Sequence, residues 1–159
     1  NSQAVAFLVL DDVAATDRYW SATLTPERRR SFRWPGLLAA PVLVVVSTRP
    51  DTYVARYAEP DKAATGLGVA PEAWPVPYWW VDAGAAAEHL LLGAVDAGLG
   101  ACLFGLFEHE AAVAAAFGVP ADRRLVGTIA LGHPAPDDPG RSAARPRPPL
   151  HEVVHRTRW

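Results

Sequence analysis

Residues 151–155, with the sequence HEVVH, have the spacing of a zinc-protease helix. In that motif two histidines one helical turn apart bind the metal, and the glutamate acts as general base. The residues that follow, Arg-Thr-Arg-Trp, offer no third ligand. We therefore predict no metal site here. We expect a short amphipathic helix from Leu150 to His155, with Val153 and Val154 packed inward.

Arginines form the second chemically distinctive set. Arg141, Arg145 and Arg147 lie in the proline-rich segment 134–149, which predicts an extended backbone or a loop. Guanidinium groups that converge from such a segment suit a dianionic phosphate, since each offers planar bidentate hydrogen bonds. A solubilising tail is the alternative interpretation. Residues 28–33 carry four further arginines, which a solvated helix face explains.

The sequence has no local signature of a nucleophile or of a dinucleotide loop. Cys102 lies in the apolar run 101–104, which predicts a buried structural thiol. The glycine pairs at 66/68 and 98/100 resemble halves of a dinucleotide loop, but that loop requires a strand, glycines and a helix in this order. Turn formation and helix capping explain both pairs. The residues alone therefore indicate no catalytic dyad or triad.

Four apolar runs predict the strands that would position these residues, namely Ala4–Leu10, Pro41–Ser47, 101–104 and Arg124–Leu131. Helical patterns separate them over residues 12–34 and Glu108–Phe117, which predicts an α/β or α+β domain with one sheet. The segment Asp51–Pro77 is rich in proline and glycine. We predict that it is irregular, as functional lids often are.

The most distinctive element is a helix predicted for Ala83–Ala97, with Asp82 as N-cap and with Gly98 and Gly100 ending it. Apolar residues occur on every face of this helix, whereas a surface helix has a single apolar stripe. A chain of 159 residues has little interior in which to surround such a helix. We therefore predict an obligate dimer, in which a partner subunit covers the helix.

Composition excludes several functional classes. The length suits one domain with a hydrophobic core, so residues 1–159 are treated as a single domain. The formal net charge of −2 gives no electrostatic case for nucleic-acid binding. No apolar run approaches the roughly 20 residues that span a bilayer. A single cysteine excludes an intrachain disulfide, so we expect a cytoplasmic location.

With these residues in view, the chain resembles the nitroreductase family of FMN-dependent oxidoreductases. Asn1-Ser2-Gln3, followed by a strand, resembles the N-S-Q-P-W-x-F entry to the first strand of the family. Residues 90–105, LLLGAVDAGLGACLFG, resemble its central dimer helix and the turn and strand after it. Residues 126–134 (VGTIALGHP) and 145–154 (RPRPPLHEVV) resemble the strand that ends in L-G-Y-P and the closing basic segment.

The resemblance implies an α+β fold with a central mixed sheet flanked by helices, and a domain-interlocked homodimer with the central helix buried. It also implies FMN as cofactor, NAD(P)H as co-substrate and a nitroaromatic, quinone or similar small molecule as electron acceptor. The flavin would then carry the hydride chemistry, with no catalytic residue from the protein. The implied cofactor-binding residues are Asn1, Ser2, Gln3, Gly105, Leu106, Arg145 and Arg147. Candidates for lining the substrate face, with core packing as the alternative, are Trp74, Tyr78, Trp79 and Trp80.

Two departures from the family pattern keep other functions open. The R-R-S-x-R-x-F helix expected before the N-S-Q entry is not in this sequence, so the N-terminal part of the family domain is expected to be missing. The Pro-Trp after N-S-Q is replaced by Ala4-Val5. One alternative is a specialised flavin or deazaflavin oxidoreductase of the same fold, acting in flavin fragmentation, dehalogenation or peptide oxidation. The other is a flavin-less dimeric binding protein.

Overall fold

A four-stranded antiparallel sheet forms the centre of the protein. The computed structural model describes residues 2–135 and 144–159. Each pair of neighbouring strands is antiparallel, so the mixed sheet that we predicted is not found among the described residues. The connections from β1 to β2 and from β3 to β4 each return the chain to the same end of the sheet, which makes both pairs antiparallel. In the spatial order β1-β2-β4-β3, the strands are β1 (Ala6–Leu10), β2 (Val42–Thr48), β3 (Gly100–Phe104) and β4 (Arg124–Gly132).

Helices cover the sheet and its ends. In the described residues they are α1 (Val13–Thr23), α2 (Pro26–Arg30), α3 (Pro35–Leu38), α4 (Pro50–Tyr57), α5 (Tyr78–Asp96), α6 (Glu110–Phe117) and α7 (Leu150–Val153). Short 3-10 turns lie at Ala63–Thr65, Pro71–Ala73 and Phe107–His109. Helix α2 starts at a favourable site, because the Thr25 side chain caps the helix and Pro26 occupies its first turn.

Helix α4 extends into the segment Asp51–Pro77 for which we predicted irregular structure, so that prediction is wrong for residues 51–57. Pro50 is placed at the start of the helix, where its missing N–H costs no hydrogen bond. Residues 51–57 contain neither proline nor glycine, and the helix continues to Tyr57. Proline at the beginning of this segment therefore starts a helix instead of preventing one.

Each face of the sheet carries its own apolar core. On one face, Leu43 and Val45 of β2 pack with Tyr19 of α1. On the other face, Val44 of β2 packs with Ala87 of α5. Side chains of a strand alternate between the two faces, which explains why the valine run of β2 is buried on both sides.

Helix α5 begins at Tyr78 rather than at Ala83 as predicted, because Pro77 is the last helix breaker before it. Asp82, the predicted N-cap, therefore lies inside the helix. There its carboxylate accepts a hydrogen bond from the Tyr53 hydroxyl. Burial, reinforced by the Asp82 carboxylate, raises the pKa of Tyr53, so the hydroxyl remains a donor. This hydrogen bond joins α4 to α5.

The predicted end of α5 is confirmed. Gly98 has a φ of +69°, in the left-handed region that glycine adopts readily. The Leu99 amide donates to the Ala94 carbonyl at 2.8 Å, which completes a Schellman arrangement. None of the helices in the described residues combines the length and the apolar character that crossing a membrane requires.

Only one side of α5 is buried in the single chain. Ala83 and Ala87 face the sheet, whereas Val81, Leu92 and Val95 are 51%, 57% and 71% exposed. The all-round burial that we predicted is therefore absent from one chain, because the sheet covers only one side of the helix. An exposed apolar surface remains on the other side.

The predicted terminal helix is shorter and more exposed than expected. Helix α7 ends at Val153, and Val154 has an extended backbone, so the two histidines of the HEVVH sequence do not share a helix. Val153 and Val154 are exposed and not packed inward, because α7 is too short to reach a core. Within residues 2–135 and 144–159, no group of three or more potential metal ligands comes together.

Cys102 is exposed, so the prediction of a buried thiol is also wrong. The reason lies in the strand order, which places β3 at an edge of the sheet. An apolar run predicts a strand but does not show whether that strand is central or at an edge.

The segment between α4 and α5 folds back onto α4. Gly68 lies so close to the backbone of Tyr57 and Ala58 that a Cβ atom would overlap it. The indole nitrogen of Trp74 donates to the Leu67 carbonyl at 2.9 Å. These contacts hold the segment as an ordered cap rather than as a free loop.

The substitution Gly68→Ala should lower the free energy of unfolding by about 1–3 kcal/mol or more, because the new methyl group must displace backbone atoms of α4. Gly36→Ala is the control, since a Cβ there meets nothing within 4 Å. The control should leave the stability unchanged or raise it by up to about 1 kcal/mol. Urea denaturation measures both variants. Equal stabilities would show that the segment is not held against α4.

Candidate functional site

The segments that precede β1 and follow β3 lie at the same end of the sheet. In an antiparallel sheet of this order, β1 and β4 begin where β2 and β3 finish. Ser2 and Gln3 lead into β1, and Gly105 and Leu106 follow β3. Four of the predicted cofactor-binding residues therefore share one end of the sheet, called the site end below.

Arg123 and Ala4 fix the N-terminal entry to the rest of the site end. The Arg123 guanidinium donates from Nη1 to the Ala4 carbonyl at 3.3 Å. The Ala4 side chain is buried in one cluster with Tyr53, Trp74 and Trp79. Ala4 is thus held both by the turn before β4 and by this aromatic cluster, which belongs to α4, α5 and the ordered cap between them.

An ion pair between Glu110 and Arg124 ties the loop after β3 to the start of β4. Arg124 donates from Nε and Nη2 to the two Glu110 carboxylate oxygens at 2.9 and 3.0 Å, and the Leu125 amide donates to the same carboxylate at 2.9 Å. The hydrogen bonds from Arg124 hold the pKa of Glu110 below its usual range. The Arg124 guanidinium also lies 5.7 Å from the ring centroid of Trp80.

This pair was missed by our sequence reasoning. Glu110 and Arg124 are fourteen positions apart and lie on different elements, so no helical or strand periodicity connects them. Glu110 is committed to Arg124 and to a backbone amide. Its role at the site end is therefore to position the loop after β3, not to transfer protons.

The loop after β3 has an unusual backbone. Leu106 is buried in the core and anchors the loop, while Gly105 is exposed. Phe107 has a φ of +47° and Gln3 a φ of +46°, and Thr157 completes the set of non-glycine residues with positive φ in the described residues. Such backbone strain is uncommon and occurs preferentially at functional sites. Two of these three strained residues thus occur at the site end.

Trp74 and Trp79 are core residues, at 8% and 6% exposure. The Trp74 ring is surrounded by the rings of Tyr53, Tyr57 and Tyr78, with centroid distances of 5.7, 4.6 and 6.3 Å. These edge contacts stabilise the cap, as expected for aromatic pairs. Core packing accounts for both tryptophans in the single chain.

Tyr78 and Trp80 lie at the periphery of the same cap. Tyr78 is half exposed, and Trp80 is partly buried beside Arg124. Of the four aromatic residues that we singled out, these two are therefore the better placed to meet a ligand. Their role in substrate binding stays a prediction.

The predicted phosphate-binding arginines lie on the exposed C-terminal segment. Arg145 and Arg147 are exposed, as is each residue from 144 to 159. The other two residues assigned to ligand binding, Asn1 and Arg141, lie outside the described residues. The assignment of these residues to cofactor binding stays a prediction.

The chain belongs to the nitroreductase family, whose sequence model matches residues 1–133. The match covers all four strands and both segments of the site end. Among curated proteins, no sequence matches significantly.

Solved structures share the fold. A nitroreductase family protein from Streptococcus pneumoniae TIGR4 superposes with a TM-score of 0.68 at 17% identity, over 98% of this chain and 80% of that one. An FMN-dependent nitroreductase from Clostridium difficile R20291 gives 0.61 at 16% identity, over 98% and 76%. Nitroreductase A from Vibrio parahaemolyticus gives 0.61 at 20%, over 99% and 59%. At these identities the likeness establishes a common α+β fold and nothing more specific.

The substitution Glu110→Gln should lower the free energy of unfolding by about 0.5–1 kcal/mol near pH 7, since both partners are partly solvated. The pKa of Glu110 is lower in the folded state than in the unfolded state. Its contribution to the free energy of unfolding is therefore fully present above the ordinary glutamate pKa of about 4.3, and it is lost as the pH falls through the folded-state pKa. The difference between wild type and variant should therefore shrink below about pH 4.3. Denaturant titrations at several pH values measure it.

Glu27→Gln is the matched control for this prediction. Glu27 pairs with Arg30 at 3.2 Å, but both side chains are largely exposed. The pair of Glu27 and Arg30 should contribute close to nothing to the free energy of unfolding. A loss of stability equal to that of Glu110→Gln would show that the pair at the site end has no special role.

Proposed function

We propose that the protein is an FMN-dependent oxidoreductase that passes a hydride from NAD(P)H to a nitroaromatic, quinone or similar conjugated acceptor. The observation that carries this proposal is that Ser2 and Gln3 before β1 and Gly105 and Leu106 after β3 lie at the same end of the sheet, on its two edge strands. Family membership supports it, as does the shared fold with a structure described as an FMN-dependent nitroreductase.

The residues at the site end fit the ring of a flavin. Ser2 and Gln3 supply a hydroxyl and an amide, which match the polar edge of such a ring. Leu106 turns its side chain into the core and Gly105 has none, so this loop presents backbone to a flat ligand. The buried anchor and the Glu110 carboxylate hold that backbone in place.

The residues that would hold the phosphate end are Arg145 and Arg147, whose guanidinium groups are exposed and can accept an anion. Bound FMN would supply hydride chemistry, which no side chain provides. The tasks left to the protein are to orient the ring, to exclude water and to admit the acceptor. The ordered cap beside the N-terminal entry, with its buried aromatic residues, would exclude water.

We further propose that the active form is a homodimer built on α5. The exposed side of this helix carries Val81, Leu92 and Val95, and exposed apolar residues flank it on the same face of the sheet. Phe7 of β1 and Leu103 of β3 belong to that face, because they pair with residues that α5 covers. An apolar surface of this extent on a folded chain is typical of a protein interface.

The purified protein should show flavin absorption bands, or acquire them when FMN is added. The double variant Arg145→Gln and Arg147→Gln should bind FMN about 10-fold or more weakly, because two charge-assisted hydrogen bonds to phosphate are lost. Quenching of flavin fluorescence measures the dissociation constant.

Riboflavin is the control ligand for this prediction, since it lacks the phosphate and should bind both proteins equally. A wild-type protein that is folded, colourless and unable to bind FMN would contradict the proposed cofactor.

The substitution Leu92→Glu should convert the dimer to a monomer, because it would place a charge at the centre of the apolar interface. Val13→Glu is the control, since Val13 is 85% exposed on α1, which packs on the opposite face of the sheet. Sedimentation velocity distinguishes the two states. A dimer that persists in Leu92→Glu, or a wild-type monomer, would contradict the assignment of the interface to α5.

A further inference from the structure

Packing among the described residues of one chain does not account for Phe107. Its side chain is 85% exposed, which is unusual for so large an apolar ring. Its backbone is strained, with a φ of +47°. Glycine or asparagine would adopt that conformation at a lower cost. A phenylalanine here therefore lowers stability without contributing a packed ring in return.

The ring of Phe107 folds back over Gly105. Its Cε2 and Cζ atoms lie 3.0 Å from the point that a Cβ atom of Gly105 would occupy. The absence of a side chain at Gly105 is thus what allows the ring to lie there. Leu106 between them is buried, and its carbonyl accepts a hydrogen bond from the His109 amide at 2.8 Å. The backbone is held firmly while the ring itself remains largely in solvent.

We propose that Phe107 is a stacking platform for the planar acceptor, and that it sets the preference for flat aromatic or quinonoid rings over acceptors of other shapes. The inference rests on the proposed function and deepens it by assigning a specificity-determining residue. A phenyl ring offers a flat apolar face, and stacking against another ring stabilises by dispersion and quadrupole interactions.

The location of Phe107 supports a planar electron acceptor as its ligand. The ring lies at the site end, beside the residues that fit a flavin ring. The ion pair of Glu110, three residues further on, fixes the loop that carries it. A ligand that stacks on Phe107 would therefore be held next to the proposed cofactor position and not on a remote surface.

The test compares Phe107→Leu, which keeps an apolar side chain but removes the ring, with Phe107→Tyr, which restores a ring. The probe is menadione, a planar quinone, titrated by calorimetry into oxidised protein loaded with FMN and without NAD(P)H, so that no turnover occurs. Phe107→Leu should weaken binding about 3- to 10-fold, and Phe107→Tyr should bind as the wild type does. Trp34→Leu, which changes a partly exposed aromatic residue far along the chain, should have no effect.

Kinetics supply the second readout. The ratio of kcat/KM for menadione to kcat/KM for ferricyanide, which is not a flat ring, should fall by the same factor in Phe107→Leu, mainly through KM for menadione. An unchanged menadione dissociation constant in Phe107→Leu would overturn the inference. So would loss of the dimer in that variant, which would make Phe107 an interface residue.

The two proposals fail in distinguishable ways. If the wild type binds no FMN and reduces neither acceptor, the proposed oxidoreductase function fails. Because Phe107 is assigned to the acceptor of that reaction, the platform is then overturned as well. If the wild type is active and Phe107→Leu binds menadione normally, only the platform is wrong.

Discussion

The antiparallel pairing of β1, β2, β4 and β3 is the constraint on which the rest of the molecule depends. It brings the chain entry before β1 and the loop after β3 to one end of the sheet, although about a hundred residues separate them in sequence. Local contacts then sharpen that arrangement. Arg123 holds Ala4, and Glu110 holds Arg124 and the following amide. Without the strand pairing, none of these contacts would form.

The same sheet underlies the proposal of a dimer. It buries one side of α5 and leaves the other side apolar and exposed. The basic C-terminal segment, with Arg145 and Arg147, is likewise exposed. The proposed association of two chains would cover both surfaces. Cofactor binding and dimer formation are therefore expected to depend on each other.

Sequence patterns predicted the secondary structure well where local chemistry determines the bounds of an element. The valine run gave β2 almost to the residue, and Gly98 marked the end of α5. These patterns failed where the position of an element in the tertiary structure determines burial or hydrogen bonding. Cys102 is exposed because β3 is an edge strand, and Asp82 bonds to Tyr53 because α5 starts earlier than its apolar pattern does. Phe107 carries no pattern signal, since its significance lies in a backbone angle and in one contact with Gly105.

Sedimentation velocity recorded in the visible flavin band follows cofactor binding and dimer formation in one experiment. With FMN added to the purified protein, we expect a coloured boundary that moves at the rate of a dimer, with about one flavin for each subunit. Colour that stays with the slowly moving free FMN, while the folded protein sediments without it, would contradict the account. So would a coloured boundary that moves as a monomer.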